Sequence, residues 1–184
     1  MFALLPIFLA TAMSPCDGAK DLEGGVIRLP GSAVSVVAPE GWWLQTPRAN
    51  LPALMFELPH ACEGAVLAYP LLQVARMDGV DRPTDLDDAA RRSRASGGTI
   101  TEEPRHLTIA GHDAIEYAET DRIIAHYVGG GGSLRPLYNR VVVVQLGDEY
   151  FTCWLSEDVI GDGRHHAAPR ELCASLAERA DAQR

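Results

Sequence analysis

An α+β fold, an antiparallel β-sheet with helices packed on its faces, is predicted by three observations. Most of the chain divides into short runs rich in Val, Leu, Tyr and Phe, each closed by Gly, Pro or Asp turn signals. These runs follow one another as hairpins. One helical pattern, at residues 84–96, interrupts them before the C-terminal helix, so the chain lacks the strand–helix alternation of a doubly wound nucleotide fold. A length of 184 residues with 47% hydrophobic composition suits a single domain with a sizeable core.

Residues 34–38 (VSVVA) read as a short strand closed by Pro39-Glu40-Gly41, and Trp42-Trp43-Leu44 continues extended. Residues 53–58 (ALMFEL) form a second strand and 66–77 (VLAYPLLQVARM) a third. Pro70 cannot donate to a ladder, which places that third strand at an edge or bulges it. The helix at 84–96 starts at a capping-box-like pair, Thr84 and Asp87. Its inward stripe is Leu86, Ala89, Ala90 and Ser93, small enough to lie close against a sheet. Acids at 85, 87 and 88 and bases at 91, 92 and 94 match the helix macrodipole, and Gly97-Gly98 ends the helix.

Strands resume at 99–109, interrupted by Pro104, and turn at Ala110-Gly111-His112 into 113–120 (DAIEYAET). There Ile115 and Tyr117 share one face. Residues 122–128 (RIIAHYV) are apolar and lead into the glycine run 129–132. Four consecutive valines in 138–146 (YNRVVVVQL) predict a central strand buried on both faces. Gly147-Asp148 turns it into 149–156 (EYFTCWLS), a hairpin. Pro169 opens a helix to about residue 180, with Leu172, Cys173, Leu176 and Ala180 inward.

The first twelve residues (MFALLPIFLATA) hold ten apolar side chains and no charge. The run is too short to span a bilayer but fits the apolar region of a signal peptide, with Ala10-Thr11-Ala12 as the cleavage pattern. No Lys or Arg precedes it, and a buried N-terminal strand or helix is the competing reading. The expected organisation is a signal peptide at 1–12, an N-terminal tail at 13–25 and one domain at 26–184. A lipid anchor on Cys16 is disfavoured by Pro15 just before it. Four cysteines, Cys16, Cys62, Cys153 and Cys173, fit an oxidising compartment and allow three pairings into two disulfides. Cys153–Cys173 is favoured because both flank the loop between the last strand and the last helix, with Cys16–Cys62 left by elimination; free buried thiols are the alternative.

Three segments resemble the PsbP-like family of photosystem II subunits, small bacterial envelope proteins and a eukaryotic Ran-binding relative. They are the strand closing in Pro-Glu-Gly-Trp (34–42), the strand–turn–strand at 108–120, and the hairpin at 141–155 leading into the terminal helix. The resemblance is one of layout over roughly residues 33–180. It implies an α/β/α sandwich around an antiparallel sheet and a binding or assembly role without catalysis. The glycine loop 129–132 and the four cysteines depart from the family pattern.

Candidate chemistry is sparse. The glycine run Gly129, Gly130, Gly131, Gly132 lacks the Lys-Ser/Thr ending of a phosphate loop and reads as a hairpin loop available for partner contact. His165-His166 lacks metal-ligand spacing and reads as a solvated loop. His106, His112 and His126 are scattered over the strands, and nothing supplies the activated thiolate that a His60–Cys62 nucleophile would need. Glu102, Glu103, Glu116 and Glu119 read as solvated strand faces. Trp42 and Trp43 point to opposite faces of an extended segment, so one enters the core and the other is a partner-contact candidate.

A formal charge of −9, from 16 basic and 25 acidic side chains, argues against nucleic acid and anionic lipid surfaces as partners. No apolar window is long enough for a transmembrane helix. The expectation is an exported, periplasmic or secreted binding protein without enzymatic activity, metal or cofactor, engaging a protein partner. Two alternatives are an immunity- or inhibitor-type protein neutralising a basic toxin or enzyme, and a small-ligand or metal binder with a cleft near Trp43, His126 and the glycine loop.

Overall fold

A computed structural model describes residues 20–22, 24–45, 53–58, 70–77, 83–94, 98–126, 132–158 and 163–178. In chain order its elements are β1 (Lys20–Asp21), β2 (Val26–Arg28), β3 (Val34–Val37), β4 (Trp43–Leu44), β5 (Ala53–Glu57), β6 (Leu71–Arg76), α1 (Leu86–Ser93), β7 (Thr99–Ile109), β8 (His112–His126), β9 (Gly132–Leu146), β10 (Glu149–Asp158), α2 (Ala168–Ala174) and β11 (Ala177–Glu178). Eight strands form one sheet in the order β1-β4-β5-β6-β10-β9-β8-β7, and β11-β3-β2 form a second. Every pairing is antiparallel. The fold class is the α+β arrangement that the hairpin punctuation predicts.

Both faces of the large sheet are filled. Val142 and Val144 look toward α2 and the small sheet, packing with Phe56, Leu72, Phe151, Leu155, Val36 and Leu172. Val141 and Val143 look the other way, toward α1, with Ile115, Tyr117, Tyr150, Leu86 and Ala89. A strand covered on both sides needs apolar residues at consecutive positions, and all four valines are at most 2% exposed. The β7–β8 turn, Ala110-Gly111, has positive φ at both residues (50° and 87°), the conformation that lets a two-residue loop follow the strand twist.

Several boundaries differ from the sequence reading. Lys20–Asp21, expected in the tail, pairs with β4 through Lys20↔Leu44 and Asp21↔Trp43. Of the run at 66–77, residues 66–69 lie outside the described residues; β6 starts after Pro70 and lies between β5 and β10, so this strand is not at an edge and the proline faces no ladder. Residues 113–120 and 122–126 belong to one strand, β8, and Gly132, read as loop, is the first residue of β9, opposite His126. This β8–β9 ribbon continues five pairs beyond the reach of β7 and β10. The last helix stops at Ala174, because Leu176 turns back into the core and β11 then pairs with β3.

Helix α1 is capped one residue later than predicted. Asp85, not Thr84, is the N-cap, accepting from the Asp88 N–H (2.7 Å), while Asp88 accepts from the Thr84 N–H (3.0 Å). Asp88 also pairs with Arg92 (2.8 Å) and Arg91 (2.6 Å). The Arg92 guanidinium first, then the Thr84 N–H, holds the Asp88 carboxyl at about 2 instead of 3.8. A depressed folded-state value means that this contribution to stability is complete above about pH 4 and disappears as pH falls through about 2. Asp88→Asn is expected to flatten the acid limb of the unfolding midpoint over that window, measured by circular dichroism; an unchanged limb would contradict the assignment.

Candidate functional site

The largest departure from an ordinary sheet face lies under α2. Glu116 on β8 shares its face with Ala114 and Ala118, whose small side chains leave room for it. Its neighbours across the ladders are Arg105 on β7 and Val142 on β9. On β7, Glu102 pairs with Ala118 and Arg105 with Glu116, so three steps along one strand oppose two along the other. This bulge, which contains Pro104, turns Glu102 and Arg105 to the same side, where an unbroken strand would separate them. Arg140 reaches in from β9, two pairs along, and Arg170 from the first turn of α2.

Glu116 is 1% exposed and its two oxygens accept five N–H bonds. Arg105 donates Nε and Nη2 to Oε2 (3.0 and 2.7 Å), and Arg140 donates Nη1 to Oε1 (3.0 Å). Arg170 donates Nε to Oε1 (2.9 Å) and Nη2 to Oε2. Arg140 extends the network through Nη2 to Glu102 Oε1 (2.5 Å) and to the Tyr138 hydroxyl (3.0 Å). The Tyr138 hydroxyl donates to Glu102 (3.0 Å). Burial pushes the Tyr138 hydroxyl up against the pull of Arg140. Burial works against the Arg140 charge, but Tyr138, Glu116 and Glu102 outweigh it and raise its pKa. A buried carboxylate is tolerated when it is paired and hydrogen-bonded in this way.

The reading of Glu116 and Glu119 as solvated is therefore corrected: both are at most 2% exposed, because the strand is covered on both faces. Glu103 is exposed as expected. His165-His166 is also not a solvated pair. His166 stacks on Tyr138 (4.7 Å) and meets Glu157 Oε1 at 2.6 Å, and His165 meets Trp42 edge-on (5.5 Å). His106 pairs with Asp87 (3.1 Å), whereas His112 and His126 sit at opposite ends of β8, so the three do not converge. Among the described residues no group of three His, Cys, Asp or Glu side chains is placed to hold a metal, and no helix is long and apolar enough to cross a membrane. Cys153 and Cys173 form a disulfide with Cα atoms 5.8 Å apart. Cys16, Cys62, His60, Gly129, Gly130 and Gly131 lie outside the described residues.

The two tryptophans separate as the alternation demands. Trp42 is 5% exposed within the α2-side core. Trp43 is half-buried on the opposite side, the one α1 occupies farther along the sheet. Register places Trp43, Glu57 and Leu71 in one row across β4, β5 and β6. Met55, Gln73 and Trp154 form the next, with Met55, Leu71 and Trp154 half-buried. The Trp154 Nε1–H donates to Ser156 Oγ (3.1 Å), so the ring is fixed within this row. The expected cleft between Trp43 and His126 is not assembled. Their strands, β4 and β8, stand five spacings apart, roughly 24 Å at the usual strand separation.

No family model and no curated protein matches the sequence. Solved structures do. A crystal structure from Bacteroides thetaiotaomicron VPI-5482 is similar over 88% of this chain, with 13% identity and a TM-score of 0.52. The match covers 50% of that chain, so the present chain spans half its length. The solution structure of cyanobacterial PsbP (CyanoP) from Synechocystis sp. PCC 6803 is similar over 84% of this chain and 93% of its own, with 12% identity and a TM-score of 0.47. The Saccharomyces cerevisiae Ran-binding protein Mog1p is similar over 86% and 96%, with 13% identity and a TM-score of 0.46. At such identities the likeness is one of fold.

Proposed function

We propose that this chain is a non-enzymatic binding protein of PsbP-like type that engages a protein partner in the cell envelope. The observation that carries the reading is the half-buried apolar group Trp43, Met55, Leu71 and Trp154 on adjoining strands. Large aromatic side chains with part of their surface in water supply much of the binding energy in protein interfaces. The Cys153–Cys173 disulfide supports an oxidising compartment. The buried carboxylate Glu116, 1% exposed, has both oxygens committed to arginines, which favours a structural over an acid–base role. The −9 charge steers a basic partner toward the surface, and a single cognate toxin or enzyme is the narrower form of the same reading.

Capture from envelope extract by the full chain tests it, with Trp43→Ala as the interface variant and Val26→Asp as the control, since Val26 is 74% exposed on the small sheet. A specific partner is expected to bind the wild type and Val26→Asp, and to bind a folded Trp43→Ala at least tenfold more weakly. Equal capture by all three, or no specific partner, would overturn the reading.

A further inference from the structure

The ionic centre under α2 holds more cations than anions. Among the described residues Arg105, Arg140 and Arg170 pair with two carboxylates, Glu116 and Glu102, an excess of one positive charge in a chain whose net charge is −9. The excess is directed outward. Arg140 and Glu116 are buried, with side chains 10% and 2% exposed, whereas the Arg105 and Arg170 side chains are 59% and 40% exposed. Each of these two guanidiniums spends Nε and Nη2 on Glu116. With five N–H groups per guanidinium, about three on each remain for another acceptor. Both Nη2 groups bond the same oxygen, Glu116 Oε2, so the two forks stand side by side at one spot. Donor capacity is also left over inside, where the buried Arg140 Nε has no hydrogen-bond partner among the described residues.

We propose that the paired forks of Arg105 and Arg170 form a binding site for a single oxyanion, a phosphate or carboxylate group, seated over Glu116. Guanidinium forks match the oxygen spacing of both groups. Glu116 serves as the counter-charge that holds the arginines together and in register. An incoming anion neutralises the remaining positive charge. The site lies on the sheet face opposite Trp43, so it stands apart from the partner-binding reading.

The test titrates inorganic phosphate and, in a separate arm, acetate into the full chain at ionic strength held constant with chloride. It follows the arginine Nε–H resonances by NMR and the melting temperature. Saturable shifts confined to Arg105, Arg140 and Arg170 are expected, with a rise in melting temperature, and the tighter of the two anions identifies the group recognised. Arg105→Gln is expected to weaken saturation at least tenfold. Should that variant fail to fold, Arg105→Lys, which keeps the charge without the fork, is expected to weaken it severalfold. No saturable shift with either anion, or equal affinity in the wild type and the folded variants, would overturn the proposal.

Discussion

Glu116→Gln is expected to be strongly destabilising, costing about 3–5 kcal/mol, the range for removing one partner of a buried ion pair. The amide fits the space but removes the negative charge. Three guanidiniums would then share one site with only Glu102 to offset them. Arg140 would suffer most, because its side chain is 10% exposed and water cannot replace the lost acceptor. Arg105→Ala is expected to cost only about 0–1 kcal/mol, as for other exposed pairs, because Arg140 and Arg170 still satisfy the carboxylate. Urea unfolding followed by tryptophan fluorescence measures both. A Glu116→Gln effect no larger than that of Arg105→Ala would show that the centre is peripheral to stability.

The double replacement Cys153→Ala/Cys173→Ala is expected to cost about 3 kcal/mol, from the entropy released when the 20-residue loop between them opens in the unfolded chain. Substitution is preferable to reduction because it leaves Cys16 and Cys62 untouched. The cost falls on α2, seven residues long and too short to be stable on its own. Besides the disulfide it is held by buried Leu172, by Leu176 just past its end, and by the Arg170 contacts to Glu116. Hydrogen exchange is expected to quicken first in α2 and β11 of the double variant. Uniform quickening across the large sheet would argue instead that the bridge supports the whole core.

These two expectations rest on features of unequal visibility in the sequence. The disulfide could be placed because Cys153 and Cys173 flank one connection. The central strand was legible because Val141–Val144 admit no solvated face. Helix α1 was legible through its charge gradient and small stripe, although the cap moved by one residue to Asp85. The ionic centre was not legible. Alternation assigns Glu116 to a face but says nothing of what covers that face, and its three arginines come from positions 105, 140 and 170. One of them is aimed by a bulge that appears in sequence only as Pro104 inside a strand. The flanking alanines, Ala114 and Ala118, were the one local sign that a larger side chain was being accommodated. Likewise the 165–166 histidines look like a polar loop until Tyr138 and Trp42 are seen beside them.

The pairing of β11 with β3 has a consequence for the order in which the molecule can be completed. Ala177 lies opposite Ser35, so the central strand of the small sheet gains one of its two neighbours from residues about 140 positions later in the chain. As the chain emerges from the ribosome, hairpins β7–β8 and β9–β10 can close as soon as their own residues are available. Strand β3 must wait until residues 177 and 178 have been made, because contacts so remote in sequence pay for loop closure late. A nascent chain stopped short of residue 177 therefore carries an unfinished sheet.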